Sequence, residues 1–521
     1  MLMKQINYHK TVWLLILVST VIRALAAGLI ELGNDEVYYL LYALYPDWSH
    51  FDHPLMVGRV IQLFSLNLRF NSELFLRMGP IILGAVDIWL VFKIGKEIKN
   101  QRTGLLASLL YVSSVYASVI AGVFILPDTP QMFFWLISLL LMAKTLPGNP
   151  AEKNRGKNML LLGFTIGLAI LSKYTSVYLW VGAGLYILFY NRAWLKSPKL
   201  YFAVLITAVT ILPIIIWNFQ NNFISFTFHG ERVDMIGHSL RWDYFLTEVA
   251  GEAAYNNPVN FILIWAAVFM LIFKKRIAEK KQIALIMLTG LPLIVTFLVF
   301  SLFRSTLPHW TAPGYTGLIF IAALWLDDRF VKKPVPFVIK IALAVTTLAV
   351  VLGFTEINCG IISPNNNKTC ETLGEDDITL DMYGYDQIGR AFGEIVKNDV
   401  KKGEMPRNSV LFGNRWFPLA NFHYYAASPL KMKVYGIGSL ERIHKYAWTN
   451  RINGGFKKGM SGYYITTSHI YRAPDPFFKP YFAIIEPADT IPVIRCGDTV
   501  ECAFVYRLKN MTRLPEDVLD F

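Results

Sequence analysis

The sequence predicts a polytopic α-helical membrane protein that ends in a small extracytoplasmic α/β domain. Three observations carry that prediction. Of the 521 residues, 54% are hydrophobic and only 17% charged, with a mean hydropathy of +0.40; soluble domains are about one-quarter charged. Apolar runs near the length needed to cross a bilayer recur along the first two-thirds of the chain. Beyond residue 357 or so, charges return and short β-prone runs replace the long apolar ones.

Eleven spans are expected, near 11–30, 74–95, 103–122, 128–146, 158–172, 175–190, 200–218, 259–273, 282–302, 310–326 and 335–355. The basic stretch 1–10, followed by an apolar run without a small-residue cleavage pattern, reads as a retained first helix rather than a removed signal peptide. Lys4 and Lys10 precede the first span. Further cations follow every second one: Lys93, Lys96, Lys99 and Arg102; Lys153, Arg155 and Lys157; Arg192, Lys196 and Lys199; Lys274, Lys275, Arg276, Lys280 and Lys281; Arg329, Lys332 and Lys333. By the positive-inside rule the N-terminus is cytoplasmic and the C-terminus is not. The same asymmetry accounts for the formal charge of +13. No nucleic-acid partner is expected, because no basic face carries interleaved aromatics. The fifth and sixth spans are short and joined by Ser172-Lys173-Tyr174-Thr175, a tight re-entry with Lys173 at its outward tip. A single bent helix with a snorkelling lysine is the alternative, and it spoils the charge alternation.

The expected domains are therefore a membrane module over 1–356, with long extracytoplasmic loops at 31–73 and 219–257, and a soluble α/β domain over 357–521. In that domain Val410-Leu411-Phe412, Tyr463-Tyr464-Ile465-Thr466-Thr467 and Ala503-Phe504-Val505-Tyr506 predict strands, and 387–398 predicts a helix. The loop at 219–257 mixes aromatic and charged residues, including Phe228-His229-Gly230-Glu231-Arg232, and predicts helices along the membrane interface. The four cysteines form two close pairs, Cys359/Cys370 and Cys496/Cys502. Two disulfides between these near neighbours are expected if the region is outside the cytoplasm. Neither pair has the CxxC spacing of a zinc site.

Chemistry is expected where acids meet water at the membrane rim. Asp35 and Glu36 follow the first span, and carboxylates there are unfavourable unless they touch water, a cation or a substrate. They are either solvated helix-end decoration or, with Tyr38, Tyr39, Tyr42 and Asp52 nearby in sequence, part of a sugar site in which one carboxylate takes a proton from an attacking hydroxyl. In Asp52-His53-Pro54-Leu55, Pro54 suits a first helical turn, which would put His53 at a helix N-terminus fit for a phosphate. Asp52 serving only as that helix's cap fits the spacing equally well. Asp128 at the start of the fourth span reads most simply as a cap. Lys173, Arg304 and His309 stand at outward helix ends, binding lipid headgroups or clamping one phosphate. Arg23 and Asp87 lie inside spans, where such residues pair or line a cavity. No phosphate-cradling or dinucleotide-binding glycine pattern is present, so direct use of a nucleotide donor is not expected. No cofactor or obligatory metal is expected; Asp52, His53 and His309 leave a divalent ion open. Asn367-Lys368-Thr369 and Asn510-Met511-Thr512 match glycosylation acceptors, relevant only in a host that glycosylates there.

Five segments in order then resemble the GT-C membrane glycosyltransferases, in particular the bacterial relatives of the dolichyl-phosphate-mannose–protein mannosyltransferases, which include the aminoarabinose transferase of lipid A. They are Asn34-Asp35-Glu36; Phe51-Asp52-His53-Pro54-Leu55; Pro127-Asp128-Thr129-Pro130; the run from Gly167 to Thr175; and Leu307-Pro308-His309-Trp310. The resemblance covers about the first two-thirds of the chain. It implies a GT-C fold and transfer of a hexosyl or pentosyl group from a polyprenyl-phosphate donor, with inversion, on the outer face of the inner membrane. The acceptor would be a lipid, a glycan or a protein. It implies Asp35 as catalytic base and Glu36 in support. Asp52 and His53 would lie near the donor phosphate and Lys173 in the same cavity, with Asp128, Arg232, Arg304 and His309 as further substrate-binding residues. One proline follows His53 where many relatives have two. The competing class is a lipid or glycan transporter or flippase, which should show paired repeats and interrupted helices; no internal repeat is found.

Overall fold

The computed structural model describes residues 7–235, 239–274, 280–362 and 369–520. Lys4, Lys275, Arg276, Asn367 and Lys368, used above for orientation and a glycosylation motif, lie outside the described residues. The chain divides into two compact units. One comprises Met1–Ala27 with Asp47–Val350, and the other Gly28–Pro46 with Val351–Phe521.

The first unit is helical. A helix stands at each of the eleven expected spans, and the bounds follow the local sequence. Among the described residues, four helices are long and apolar enough to cross a membrane unaided: Tyr8–Leu29, Met78–Ile98, Lys281–Ser301 and Phe337–Cys359. The number rises to six if each of two bent pairs counts as one span. Pro198–Thr210 and Leu212–Gln220 meet at 41°, where Pro213 removes a backbone donor and forces the bend. Trp242–Tyr255 and Pro258–Leu271 meet at 104°, the turn being made by Asn256 and by Asn257, whose φ is +69°. The other expected spans form shorter helices, among them Gln101–Val112, Asp128–Thr145, Lys153–Ser172, Tyr178–Tyr190 and Ala312–Arg329. Close packing of Met78–Ile98 on Gln101–Val112 depends on two glycines. A Cβ on Gly95 would come within 2.6 Å of the Gly104 Cα, so only small residues allow the backbones this close. Arg23, wholly buried, donates to the carbonyl of Ala117 at 3.1 Å and lies within electrostatic reach of Asp87, which the Tyr111 hydroxyl meets at 3.4 Å. Both intramembrane charges thus face the interior, as the cost of exposing them to lipid requires.

The second unit is α/β. Its sheet has the order β2-β1-β3-β5-β4, with β1 Val410–Gly413, β2 Val434–Gly436, β3 Gly462–Thr467, β4 Phe482–Arg495 and β5 Asp498–Met511. Strands β1, β2 and β3 are parallel; β5 runs antiparallel to β3 and β4. The predicted helix is Tyr385–Lys402, closed by Gly403 at φ +73°, a left-handed stop that suits glycine. Segment Gly28–Pro46 belongs to this unit. The Glu31 carboxylate accepts the N–H of Tyr385 at 2.8 Å, and the Leu32 N–H donates to the Tyr425 hydroxyl at 2.7 Å. Tyr38 packs against Trp416 with ring centroids 5.0 Å apart.

The cysteine pairing differs from expectation. The disulfide joins Cys370 to Cys502, while Cys359 and Cys496 are exposed thiols in contact with each other. Proximity in sequence misled because β5 carries Cys502 back across the sheet from the Cys496 turn. Beside the disulfide, His469 is buried between carboxylates: its Nδ1 meets Glu501 and its Nε2 lies 3.3 Å from Asp381. The two acids outweigh burial and hold the imidazole up at about 9, so it is charged at neutral pH.

Candidate functional site in the helical unit

The helix Lys153–Ser172 ends where Lys173 turns extended (φ −155°, ψ 133°), and a short turn, Tyr174–Val177, leads into Tyr178–Tyr190. Gln131 fixes this break by donating to the hydroxyls of Thr175 (2.8 Å) and Ser176 (3.1 Å). Lys173 is consequently held inward. It is 4% exposed, and its Nζ donates to both Asp128 oxygens at 2.9 and 2.8 Å. The Tyr116 hydroxyl donates to Asp128 at 3.0 Å. One expectation is corrected here: Asp128 does not cap its helix, because its carboxylate is bound by a buried cation instead. Lys173 lies at the break between the two helices with its side chain turned into the unit.

The loop around Asp52 also differs. The helix begins at Met56 with Leu55 at its cap position, and Pro54 pairs with Ser49 in an isolated bridge. Neither Asp52 nor His53 therefore occupies a helix N-terminus. The loop is instead pinned from helix Ile224–Val233. His229 Nε2 lies 2.6 Å from the Asp52 carbonyl, and the Ser225 hydroxyl donates to the His50 carbonyl at 3.1 Å. Arg232, exposed, lies over the Phe228 ring at 4.3 Å. Arg304, half-buried, donates to the Glu231 carbonyl.

These elements enclose a cavity of about 320 Å³ lined by His53, Lys173, Tyr174, Thr175, Phe226, His229, Gly230, Arg232, Phe297 and Trp310. Its walls are mostly aromatic, with cationic and imidazole groups set among them. Burial pushes His53 down to about 3 and His309 down to about 4, Lys173 adding to both, and burial lowers His229 as well. All three are neutral at pH 7; the single N–H of His229 is donated to the Asp52 carbonyl, which leaves its Nδ1 as an acceptor. Lys173 and Arg232 supply the positive charge on the lining. Among the described residues, no group of three or more His, Cys, Asp or Glu side chains could hold a metal ion.

The structure thus gathers His53, Lys173 and Arg232 on one cavity, with Asp128 on Lys173 and Asp52 bound through its carbonyl to the lining residue His229. His309 lies within electrostatic reach of both Lys173 and Asp128. Arg304 is tied to the residue preceding Arg232. Asp35 and Glu36 belong to the other unit, on the first turn of helix Asn34–Leu44. Asp35 is exposed there, whereas Glu36 is buried and accepts the Gly33 N–H at 2.9 Å, the work of a capping residue. Sequence reasoning missed His229 and Tyr174 as lining groups. It also missed Glu248 and Glu252, buried acids that accept from the Thr306 (2.7 Å) and Tyr315 (2.8 Å) hydroxyls. Their i, i+4 spacing was the available signal.

Residues 52–217 match the family described as dolichyl-phosphate-mannose-protein mannosyltransferase. The lipid A galacturonosyltransferase RgtD of Rhizobium johnstonii is 24% identical over 300 residues, 56% of this chain. The chain spans 60% of that relative's length. The crystal structure of ArnT from Cupriavidus metallidurans bound to undecaprenyl phosphate superposes with a TM-score of 0.61 at 16% identity, covering 95% of this chain and 98% of that one. The apo form of the same protein gives 0.58 at 14% identity, with the same coverage of both chains. In fold over nearly its whole length this chain is similar to the ArnT structures, and in sequence over residues 52–217 to the dolichyl-phosphate-mannose-protein mannosyltransferase family.

Proposed function

We propose that this protein is an inverting glycosyltransferase. It moves a hexosyl or pentosyl group from a polyprenyl-phosphate donor to a hydroxyl or phosphate of a lipid, glycan or protein acceptor, on the outer face of the inner membrane. The observation that carries the reading is the aromatic cavity holding Lys173, Arg232 and neutral imidazoles. Such a lining offers N–H donors to a phosphate and flat apolar faces to a sugar or an isoprenoid. The fold it shares with a protein that binds undecaprenyl phosphate supports the same donor class.

In the proposed step, the acceptor oxygen attacks the anomeric carbon as the bond from that carbon to the donor phosphate oxygen breaks. The phosphomonoester leaves with the bonding pair. The Lys173 ammonium keeps a third N–H beyond the two given to Asp128, and with Arg232 it offsets charge gathering on the leaving phosphate. His53 adds an uncharged donor, and His229 holds the Asp52 loop in place through the Asp52 carbonyl. Asp35 takes the acceptor proton, a role assigned from the resemblance of Asn34-Asp35-Glu36 to the family's acidic pair. The lipid tail confines the donor to the bilayer, so only its head must be aligned. No step here requires a cofactor.

The test is turnover of a radiolabelled undecaprenyl-phosphate sugar in the presence of envelope lipids, by wild type and by Asp35→Asn. Transfer by wild type alone is expected. Movement of the donor between leaflets without formation of a new glycosidic bond would replace the enzyme with a flippase.

A further inference from the structure

In the second unit, strands β1 and β2 end together, Gly413 opposite Gly436, while parallel β3 pairs Tyr464 with Phe412 and runs on to Thr467. The chain runs from central β1 to β2 on one side and then to β3 on the other. Where connections diverge in this way, the loops at the carboxyl ends of parallel strands part and leave a crevice. Each strand delivers an arginine there. Arg415 follows β1 by two residues, Arg442 sits on the short helix Leu440–Ile443 after β2, and Arg472 follows β3. Arg472 is fixed by its backbone, its N–H donating to the Thr466 hydroxyl at 3.1 Å and its carbonyl accepting from the Tyr464 hydroxyl at 3.2 Å. Gly438 brings the first two loops together, since a Cβ there would lie 3.1 Å from the Asn414 carbonyl and 3.8 Å from the Arg442 Cβ.

Arg472 and Arg442 both lie within electrostatic reach of Arg415 and act on it as like charges. Among the described residues none of them is paired with a carboxylate, and the buried Arg415 Nε and Asn414 Nδ2 have no hydrogen-bond partner. Other arginines of this unit are treated differently: Arg495 is bound to Asp377, Arg507 to Asp399 and Glu404, and Arg451 to Asp517 and Asp520. Gathering like charges without a counter-charge costs stability, and three planar forks match the oxygens of a phosphate. Trp416, half-buried beside Arg415 and stacked on His444 at 5.5 Å, adds a flat apolar face.

We propose that the carboxyl edge of β1, β2 and β3 binds the phosphate of a phosphorylated saccharide through Arg415, Arg442, Arg472 and Asn414. The site requires no transferase activity and stands apart from the reading above. The test uses the full-length protein in detergent, titrated with glucose 1-phosphate, inorganic phosphate and glucose, and followed by calorimetry and melting temperature. Glucose 1-phosphate should bind and raise the melting temperature, and glucose should not. In Arg415→Gln/Arg472→Gln the affinity should fall by tenfold or more, a loss in the range of about two charge-assisted bonds, while the ligand-free melting temperature holds or rises. Inorganic phosphate bound and lost in parallel would identify the oxyanion as the part recognised. Affinity unchanged by the double substitution, no binding of either phosphate, or a lower ligand-free melting temperature in the variant would each overturn the proposal.

Discussion

Replacing Lys173 by methionine isolates what the buried ion pair does. In the wild type both Asp128 oxygens lie within 2.9 Å of the Lys173 Nζ, and both side chains are 5% exposed or less. Methionine keeps the length of the stem but leaves a buried carboxylate whose one remaining hydrogen-bond donor among the described residues is the Tyr116 hydroxyl. Breaking one side of such a pair costs about 3–5 kcal/mol. Asp128→Asn should cost a similar amount by stranding the ammonium. The double variant Lys173→Met/Asp128→Asn buries no charge, and asparagine still accepts from Tyr116. It should cost less than either single change, giving a coupling of more than about 3 kcal/mol. The assay is thermal unfolding of the full protein in detergent, with each single variant several degrees below wild type and the double variant between. Binding of undecaprenyl phosphate then separates structure from function: the double variant should regain stability but not the donor. Additive losses in the two single variants would refute the buried-pair argument. Donor binding by the double variant equal to wild type would remove Lys173 from the cavity's work.

Three further outcomes are expected. Asp35→Asn should abolish transfer while leaving undecaprenyl phosphate binding within about twofold, measured by turnover and equilibrium binding; its exposure makes a folding defect an insufficient explanation. His469 holds its proton up to about 9 against an ordinary 6.5, so its contribution of about 3 kcal/mol is full below pH 6.5 and is lost as pH rises through 9. Hydrogen exchange along β5 should therefore quicken above pH 9 in wild type, and already at pH 7 in His469→Ala. Replacing Cys370 and Cys502 by serine opens a loop with a sequence separation of 132, which should cost up to about 5 kcal/mol; Cys359→Ser should leave the same melting curve unchanged.

Much of this architecture is legible in the chain, because apolar runs and cation clusters are local signals. The strands β1, β3 and β5 announce themselves through β-branched and aromatic runs. Strand β4 does not, because Pro487 and Pro492 interrupt it; it tolerates them only as an edge strand, with one side free of ladder bonds. At the candidate site the residue types were readable and their partners were not. Asp128 and Lys173 are 45 residues apart, and nothing in either motif says that one neutralises the other. Asp35 and Glu36 looked alike as neighbouring acids. Only the turn geometry separates the exposed one from the one spent on the Gly33 N–H.

Segment Gly28–Pro46 forms part of the second unit, yet the rest of that unit begins only at Val351. This has a kinetic meaning. As the polypeptide is made, Tyr38 and its neighbours must wait for Trp416 and Tyr425, Tyr425 coming 393 residues after Leu32; at about 5–20 residues per second that is on the order of a minute. During that interval the segment is an unfinished hydrophobic edge, open to chaperones and proteases. A tail expressed from Val351 onward would lack the same piece and should precipitate unless a peptide covering 28–46 is supplied.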